Sequence, residues 1–348
     1  MNENAAPNYR RAGVDLEAAE EIVRRIGPLA AGTRTGGVQS EIGGFGGFFA
    51  FPHPESSDLL VASIDGVGTK MKVARQTGQW RSAGYDIVAH CVDDILTHGA
   101  RPLFFLDYLG VGRLEVDAAT SLLEGVAEGC REAGCALLGG ETAEMPGVYV
   151  PGEVDLVGCI IGTVRREAVL PGDRVRAGDR LIGLASWGLH TNGYSLARRV
   201  LIDAGPGVAT RLPESGRSLG EALSARHRMY WRAVEPLLGD AGLHGMAHIT
   251  GGGIPGNLVR VLPAGLEARI DRQCWEIPEI FREIQRRGEI SDAEMRAVFN
   301  MGIGWILIVA PEVAEAWQAR LAAQGWGAAA LGELVEGPGG VVWVDARP

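Results

Sequence analysis

A glycine turn that ends in lysine is the sequence feature best suited to phosphate chemistry. The run DGVGTK at 65–70 follows the apolar, strand-like stretch LLVASI at 59–64. Glycines let the backbone approach a ligand closely, and successive N–H groups can then form an anion-binding nest. Lysine adds a mobile positive charge, and an aspartate at a strand tip is a ligand that Mg²⁺ accepts. A plain turn would explain the glycines, but it would not explain Lys70.

Lysine is almost absent from the rest of the chain. Of 33 basic residues only two are lysine, Lys70 and Lys72. Lysine carries a compact ammonium on a flexible stem, whereas arginine carries a rigid planar fork. We interpret the pair as a sign that this turn needs an ammonium group, with chance as the alternative.

A predicted helix around Cys91 carries a second candidate carboxylate. At helical spacing Asp94 shares a face with Cys91 and His98, and Asp93 points away from that face. A carboxylate on a partly apolar face needs a partner, and a cation is one such partner. His90, Asp94 and His98 also repeat every four residues, which leaves a transition-metal site as a weaker alternative because hard oxygen ligands suit Mg²⁺.

Three further turns combine glycine with polar side chains. GGETAEMP at 139–146 places two carboxylates in a predicted loop after a strand. WGLHTNG at 187–193 presents His190, a candidate general acid or base, beside the amide of Asn192. TGGGIP at 250–255 is typical of a phosphate-binding helix start. Solvated acids, a structural histidine and a simple helix entry remain the alternatives.

Composition limits the class of protein. A chain of 348 residues with 46% hydrophobic content suits two globular domains. We expect the boundary before the polar segment 171–179, which gives domains of 1–167 and 168–348. The net charge of -10 argues against nucleic-acid or membrane partners. Five cysteines without CxxC spacing, no signal peptide and no apolar span predict a cytoplasmic protein.

Apolar runs and helical stripes alternate along the chain. The predicted helices cover 84–98, 118–130 and a stretch that Asp15 caps and Gly27-Pro28 ends. The predicted strands are short and apolar, at 59–64, 136–138, 154–164, 181–185, 305–310 and 341–344. This order predicts a mixed α/β or α+β fold.

Taken together, the motifs resemble one enzyme family, the aminoimidazole ribonucleotide synthetases or phosphoribosylformylglycinamidine cyclo-ligases. The resemblance covers nearly the whole chain in order. The segments that carry it are YRRAGVD at 9–15, GGFGG at 43–47, DGVGTK at 65–70, CVDDILTHGARPLFFLDY at 91–108, GGETAEMPGVY at 139–149, LHTNGYSLAR at 189–198, HITGGG at 248–253 and FNMGIG at 299–304.

The resemblance implies a fold and an activity. The fold is an N-terminal domain whose four-stranded sheet joins that of a second subunit in a barrel, followed by a C-terminal α/β domain with a mixed sheet. The activity is the ATP-dependent closure of formylglycinamidine ribonucleotide to aminoimidazole ribonucleotide in purine biosynthesis. ADP and phosphate are the other products, the protein is a homodimer, and Mg²⁺ accompanies ATP. A monovalent-cation requirement stays open.

The resemblance also implies site residues. Asp65, Asp94 and Glu141 would bind Mg²⁺, and Lys70, His190 and Asp94 would be catalytic. The nucleotide would be contacted by Gly44, Gly46, Asp65, Gly66, Gly68, Thr69, Lys70, Glu141, Asn192, Gly251 and Gly252. One departure bears on the metal site: this chain has Asp93-Asp94 where the family usually has Asn-Asp, which adds a carboxylate.

Two alternative classes remain at this point. Thiamine-monophosphate kinase, selenophosphate synthetase, the hydrogenase-maturation dehydratase and the preceding purine synthetase share the phosphate motifs. The segments PLFFLDY, ETAEMPGVY and HTNGYSLAR favour the cyclo-ligase, and the first cysteine, Cys91, lies far from the N-terminus where selenophosphate synthetase carries a reactive residue. A non-catalytic nucleotide-binding subunit is the other class.

Overall fold

The computed structural model describes residues 16–41, 44–51, 53, 56–170 and 173–345. The predicted cap Asp15, the segment 9–15 and Gly43 lie outside the described residues. In this part of the chain the helices are α1 (Leu16–Ala31), α2 (Lys70–Thr77), α3 (Trp80–Leu96), α4 (Val116–Ala133), α5 (Tyr194–Arg198), α6 (Leu219–Leu223), α7 (Trp231–Val234), α8 (Gly253–Leu258), α9 (Glu279–Gly288), α10 (Asp292–Val298) and α11 (Pro311–Ala323). The strands are β1 (Gly47–Ala50), β2 (Asp58–Gly66), β3 (Arg101–Val111), β4 (Ala136–Glu144), β5 (Val154–Arg165), β6 (Arg180–Ala185), β7 (Leu243–His248), β8 (Leu266–Asp271), β9 (Ile303–Val309), β10 (Ala329–Glu336) and β11 (Val341–Val344).

The N-terminal sheet has the strand order β1-β2-β5-β3-β4. Only β3 and β4 are parallel, and their connection is α4. The sheet has five strands where the resemblance implied four, because the short segment β1 pairs with the outer edge of β2. Alternate residues of β5, such as Leu156 and Ile160, are fully buried under the helices.

The other face of this sheet is not covered by the described residues. Ile64 is 68% exposed and Leu106 is 37% exposed. Ala62, also on this face, is exposed, and every residue of the edge strand β4 except Ala143 is exposed. An apolar sheet face and a free strand edge both favour contact with another surface.

The C-terminal sheet has the order β11-β8-β10-β6-β9-β7. It is mixed, as the resemblance implied, because β11 and β8 are parallel and the other pairs are antiparallel. Strand β9, next to the edge strand β7, is buried along its whole length, with Trp305 fully enclosed. Strand β5 of the N-terminal sheet ends at Arg165, and β6, the first strand of the C-terminal sheet, begins at Arg180. The exact domain boundary stays a prediction.

Helix α3 is enclosed on all sides. Every residue from Ser82 to Leu96 is buried. It crosses α4 at very short range, since a Cβ added to Gly84 would lie 1.8 Å from the carbonyl oxygen of Leu122. A Cβ on Gly125 would lie 2.0 Å from the carbonyl oxygen of Arg81. The two glycines therefore permit the contact that holds α3 in place, and α3 carries the polar residues of the site.

Two local predictions were wrong. Helix α1 continues past Pro28 to Ala31, because proline removes one hydrogen bond while the next turn still forms, with the N–H of Gly32 donating to the Pro28 carbonyl at 3.1 Å. The segment 139–144 is part of β4 and not a loop, since its backbone pairs with β3. The helix predicted at 118–130 is confirmed as part of α4, which is capped by Gly134 with φ of 71°. None of the helices in the described residues is both long and apolar enough to span a bilayer.

Candidate active site

Asp65 and His90 form the most accessible part of a polar cluster. Asp65 is the penultimate residue of β2, and its Oδ1 accepts the N–H of Gly66 at 2.7 Å. Its Oδ2 lies 2.8 Å from Nε2 of His90, whose ring is buried while the side chain of Asp65 is 42% exposed. The carboxylate at the strand tip is thus held on the inner side and open on the outer side.

Asp94 lies behind this pair. Its Oδ1 is 2.8 Å from Nδ1 of His248, its Oδ2 accepts the hydroxyl of Ser63 at 3.1 Å, and the same Oδ2 is 3.8 Å from Nε2 of His90. Burial alone would lower the pKa of His90, but the carboxylates of Asp65 and Asp94 outweigh it and raise that pKa to about 9. His90 is therefore a buried imidazolium between two carboxylates at neutral pH.

Lys70 is not directed into a phosphate turn. Its Nζ lies 2.6 Å from Oδ2 of Asp86 and donates to the carbonyls of His190 and Ala225 at 2.9 and 2.7 Å. The side chain is 2% exposed. The expectation of a mobile ammonium was wrong, because the buried ammonium is fixed by an ion pair to α3 and by two hydrogen bonds to carbonyls of the C-terminal domain. A catalytic role for Lys70 stays a prediction.

Asp93 does not point away from the protein interior. It is fully buried, and its Oδ1 accepts the N–H of Tyr230 at 2.8 Å. Its Oδ2 lies 3.4 Å from Nε2 of His227. Asp93 and Asp94 therefore have different partners, and Asp93 is buried as well because α3 has no solvent-facing side in its central turns.

The glycine turns meet around this cluster. Thr69 Oγ1 is 3.1 Å from Ser195 Oγ, which joins the turn after β2 to the start of α5. A Cβ on Gly251 would lie 3.2 Å from Oδ1 of Asn192, and Gly252 has φ of 94°, which suits glycine. Gly68, with φ of 65°, has open space beside it. The predicted nucleotide residues 66–69, 192, 251 and 252 therefore belong to touching segments.

Gly46 and Gly44 are placed differently. A Cβ on Gly46 would lie 3.1 Å from Val61 and 3.5 Å from the ring of His98, so this glycine packs on β2. Gly44 lies in the bend that precedes β1. His98 itself bonds the carbonyl of Leu170 through Nδ1 at 3.0 Å. The four-residue triplet of His90, Asp94 and His98 is therefore not a common site.

Glu141 is not assembled with Asp65 and Asp94 in one chain. One row of paired residues crosses the sheet from Asp65 through Gly158 and Asp107 to Gly140. Adjacent strands lie about 4.8 Å apart, so three strand spacings, roughly 14 Å, separate β2 from β4 along this row. Glu141 is the next residue and faces the uncovered side of the sheet. The implied set of three magnesium ligands is therefore incomplete within a single chain.

The residues present fit a hard divalent cation at one point. Asp65 offers partly exposed carboxylate oxygens, the ligand type that Mg²⁺ prefers. Asp94 is nearly buried and already accepts from His248 and Ser63, so it suits the positioning of Asp65 and His90. No role was predicted from the sequence for His248 or His227. His248 is the first residue of the quoted motif HITGGG. The candidate carboxylate Asp94 on α3, which contacts His248, was the nearest signal in the sequence.

Comparison with known proteins shows the family of the chain. Residues 49–164 match the family model of the AIR synthase related protein N-terminal domain, and residues 176–345 match its C-terminal domain. The chain belongs to the AIR synthase family. Within this family, a protein of Sorangium cellulosum named phosphoribosylformylglycinamidine cyclo-ligase is 50% identical, over 94% of this chain and 95% of its own. A protein of the same name from Nitratidesulfovibrio vulgaris is 48% identical, over 95% and 96%.

Solved structures share the fold at low identity. Thiamine-monophosphate kinase from Stenotrophomonas maltophilia K279a has a TM-score of 0.62 at 20% identity, covering 95% of this chain and 97% of that one. T. maritima PurL complexed with AMPPCP has a TM-score of 0.55 at 14% identity, covering 83% of this chain and 42% of that one. The two-domain architecture is therefore shared with proteins of this wider fold group.

Proposed function

We propose that this chain catalyses the ATP-dependent closure of the imidazole ring, converting formylglycinamidine ribonucleotide to aminoimidazole ribonucleotide with release of ADP and phosphate. The observation that carries the proposal is the half-exposed Asp65 at the tip of β2, followed by the glycine turn 66–69, in a chain half identical to named cyclo-ligases. This activity makes the chain a ligase of purine biosynthesis.

The chemical problem is the formyl oxygen, which is a poor leaving group. Transfer of the γ-phosphoryl group of ATP to that oxygen gives an iminophosphate, and the substrate's own amidine nitrogen then displaces phosphate and closes the ring. Mg²⁺, when bound at Asp65, neutralises charge on the phosphates. The backbone N–H groups of 66–69 are the further donors that we assign to them.

The buried part of the cluster has a positioning role in this proposal. His90 and Asp94 fix the orientation of Asp65, as a carboxylate held by a charged partner has few alternative rotamers. Burial lowers the pKa of His190, so its enclosed ring is neutral and a poor base, and we assign it a role in proton transfer only once substrate and solvent reach it. His190 is fully enclosed, and we therefore expect the two domains to separate slightly before substrate reaches it.

We further propose that the active form is a homodimer. The uncovered apolar face of the N-terminal sheet, with Ile64 and Leu106, and the free edge of β4 support pairing with a second copy. Glu141 lies on that edge strand, away from Asp65 of its own chain. We infer that Glu141 contributes to a site that the second copy completes.

The proposed compartment is the cytoplasm. All five cysteines are free thiols, including Cys130 and Cys135, which are close enough to hydrogen-bond each other. Reduced thiols are typical of a reducing compartment. The net charge of -10 supports small-molecule substrates in preference to nucleic acid.

The test is an assay of the purified protein with ATP, Mg²⁺ and formylglycinamidine ribonucleotide, following the aminoimidazole product. We expect product, ADP and phosphate in equal amounts. Asp65→Asn should abolish product formation, whereas Asp173→Asn, at an exposed turn of the polar segment 171–179, is the matched control. ATP hydrolysis without the aminoimidazole product, or phosphorylation of thiamine monophosphate, would favour a different enzyme of the fold group.

A further inference from the structure

Three histidine rings from separate segments meet inside the C-terminal domain. His190 follows β6, His227 precedes α7, and His248 is the last residue of β7. All three side chains are fully buried. One ligand atom from each lies within 4.8 Å of the other two. The three positions are far apart in the sequence, so tertiary folding creates this group.

Two of the rings already have the spacing of ligands on one ion. Nε2 of His227 lies 3.1 Å from Nε2 of His248. Nitrogens bound at 2.0–2.1 Å to a tetrahedral zinc ion lie roughly 3.3 Å apart. Nδ1 of His248 faces Asp94 Oδ1 at 2.8 Å, which leaves Nε2 of His248 free to bind through its lone pair. A carboxylate behind a ligating histidine is the usual second partner in zinc sites.

His190 supplies an independent sign of a missing partner. Neither of its ring nitrogens has a hydrogen-bond partner among the described residues, although the side chain is completely enclosed. A buried polar group without a partner costs about 1–3 kcal/mol. Its backbone has φ of 61°, uncommon for a residue with a side chain. Its ring is stacked on that of His227, with the ring centroids 3.9 Å apart, so one of the two rings must rotate before lone pairs of both converge on one ion. An N–H···N bond between His227 and His248 would leave His190 unsatisfied.

The partners of the rings distinguish this group from its neighbour. A second group, formed by His90, Asp94 and His248, has ligand atoms at similar range. Both ring nitrogens of His90 already have partners, Asp65 at Nε2 and Thr191 at Nδ1. Neither ring nitrogen of His190 has one among the described residues.

The carboxylate behind the three rings is Asp94, which faces Nδ1 of His248 at 2.8 Å and balances part of the charge of a bound ion. Asp93 Oδ2 is also close, 3.4 Å from Nε2 of His227, and has no hydrogen-bond partner in the described part of the chain. Imidazole ligands select zinc-like ions over Mg²⁺.

We propose that the chain binds one transition-metal ion of the zinc class through Nε2 of His227, Nε2 of His248 and a ring nitrogen of His190. This site is separate from the oxygen ligands that we assign to Mg²⁺. A bound ion uses the ring nitrogen of His190 that the proposed reaction needs, so the zinc-bound form is an inhibited form. The binding itself does not rest on the proposed function.

The experiment uses the full-length protein after treatment with a chelator and removal of the chelator. Zn²⁺ is titrated calorimetrically in excess Mg²⁺, and Co²⁺ is used as a spectroscopic probe. We expect one equivalent of Zn²⁺ to bind, a rise in melting temperature, and the intense visible bands of four-coordinate Co²⁺. His227→Gln should lower Zn²⁺ affinity by more than about tenfold.

The matched control is His244→Gln. His244 is also buried on β7 and also pairs through Nδ1 with a carboxylate, Asp179, at 2.8 Å, but it is not one of the three rings. Its Zn²⁺ affinity should equal that of the wild type. Equal losses in the two variants, or no saturable binding by the wild type, would overturn the proposal.

A second measurement keeps the proposal testable if His227→Gln does not fold. X-ray absorption of the zinc-loaded wild type should show a shell of three imidazole nitrogens. A sulfur shell would instead locate the ion at cysteines, and an oxygen-only shell would locate it at carboxylates. Either result would overturn the proposal, whatever the outcome of the ring-closure assay.

Discussion

At the scale of single residues, His90 explains why two carboxylates from different elements act together. Asp65 comes from β2 and Asp94 from α3, and both face the same ring nitrogen. The sequence indicated both acids, from a glycine turn and from helical spacing. It could not indicate the pairing, because burial of α3 on every side is a property of the packed molecule.

We expect Asp94→Asn to fold and to lose most turnover, by about 10²–10³-fold, in line with loss of one preorganised charged group. The amide keeps an acceptor for Ser63 but removes the charge that holds His90 and, through it, Asp65. Steady-state kinetics with melting curves measure this.

Asp93→Asn is the control for that variant and should be mild. Its amide oxygen can still accept the N–H of Tyr230, and burial already raises the pKa of Asp93 well above the usual range, so a neutral side chain resembles the native one. Equal loss of turnover in both variants, or the reverse order, would show that the wrong carboxylate was chosen.

Lys70→Arg should destabilise the fold by about 1–3 kcal/mol, because a larger group is forced into a filled site. The Lys70 ammonium has three partners at 2.6–2.9 Å and no room for a planar fork. Lys72→Arg, at a 42% exposed side chain paired with Glu153, should change stability by less than about 0.5 kcal/mol. Urea unfolding compares them. If Lys70→Arg is as stable as the wild type but loses kcat, Lys70 acts on phosphate instead.

The protonated His90 makes stability depend on pH. Its folded-state pKa is about 9 against an ordinary histidine value of 6.5, so its contribution is complete below about pH 6.5 and is lost as pH rises through 9. The loss amounts to up to about 3 kcal/mol. Urea unfolding in chelator at several pH values should show this decline, and His90→Gln should lack it. A variant with the same pH dependence as the wild type would refute the assignment.

At the scale of elements, strands were more predictable than helix ends. The runs at 59–64, 154–164 and 341–344 are strands because apolar β-formers fill them. The strand character of 139–144 was missed because glycine and acidic residues are poor strand formers, and pairing with β3 overrides that preference. A single-sequence pattern also contained no sign of the 1.8 Å approach at Gly84.

The uncovered sheet face gives an element-scale prediction. Leu106→Glu should convert the dimer to monomers and reduce activity, because a charge is then buried at the apolar face. Val116→Glu, at a 71% exposed position in the first turn of α4, is the control and should leave the dimer intact. Sedimentation at micromolar concentration decides between them, and an active wild-type monomer would contradict the dimer.

At the scale of the whole molecule, the two domains meet at the polar cluster. Lys70 and Asp86 from the first domain bond the carbonyls of His190 and Ala225 and the N–H of His227 from the second. The turn motifs were visible in the sequence, and the family resemblance predicted that they form one site. Which atoms meet across the domain contact was not visible, since Lys70 was expected to face a ligand and here donates to the backbone carbonyl of His190.

The most direct test of the central claim follows the formyl oxygen of the substrate. Formylglycinamidine ribonucleotide labelled with ¹⁸O at that oxygen is turned over by the purified protein with ATP and Mg²⁺. Phosphoryl transfer to the oxygen, followed by displacement, predicts one ¹⁸O atom in each phosphate released and none in ADP. Release of unlabelled phosphate together with the aminoimidazole product would contradict the account.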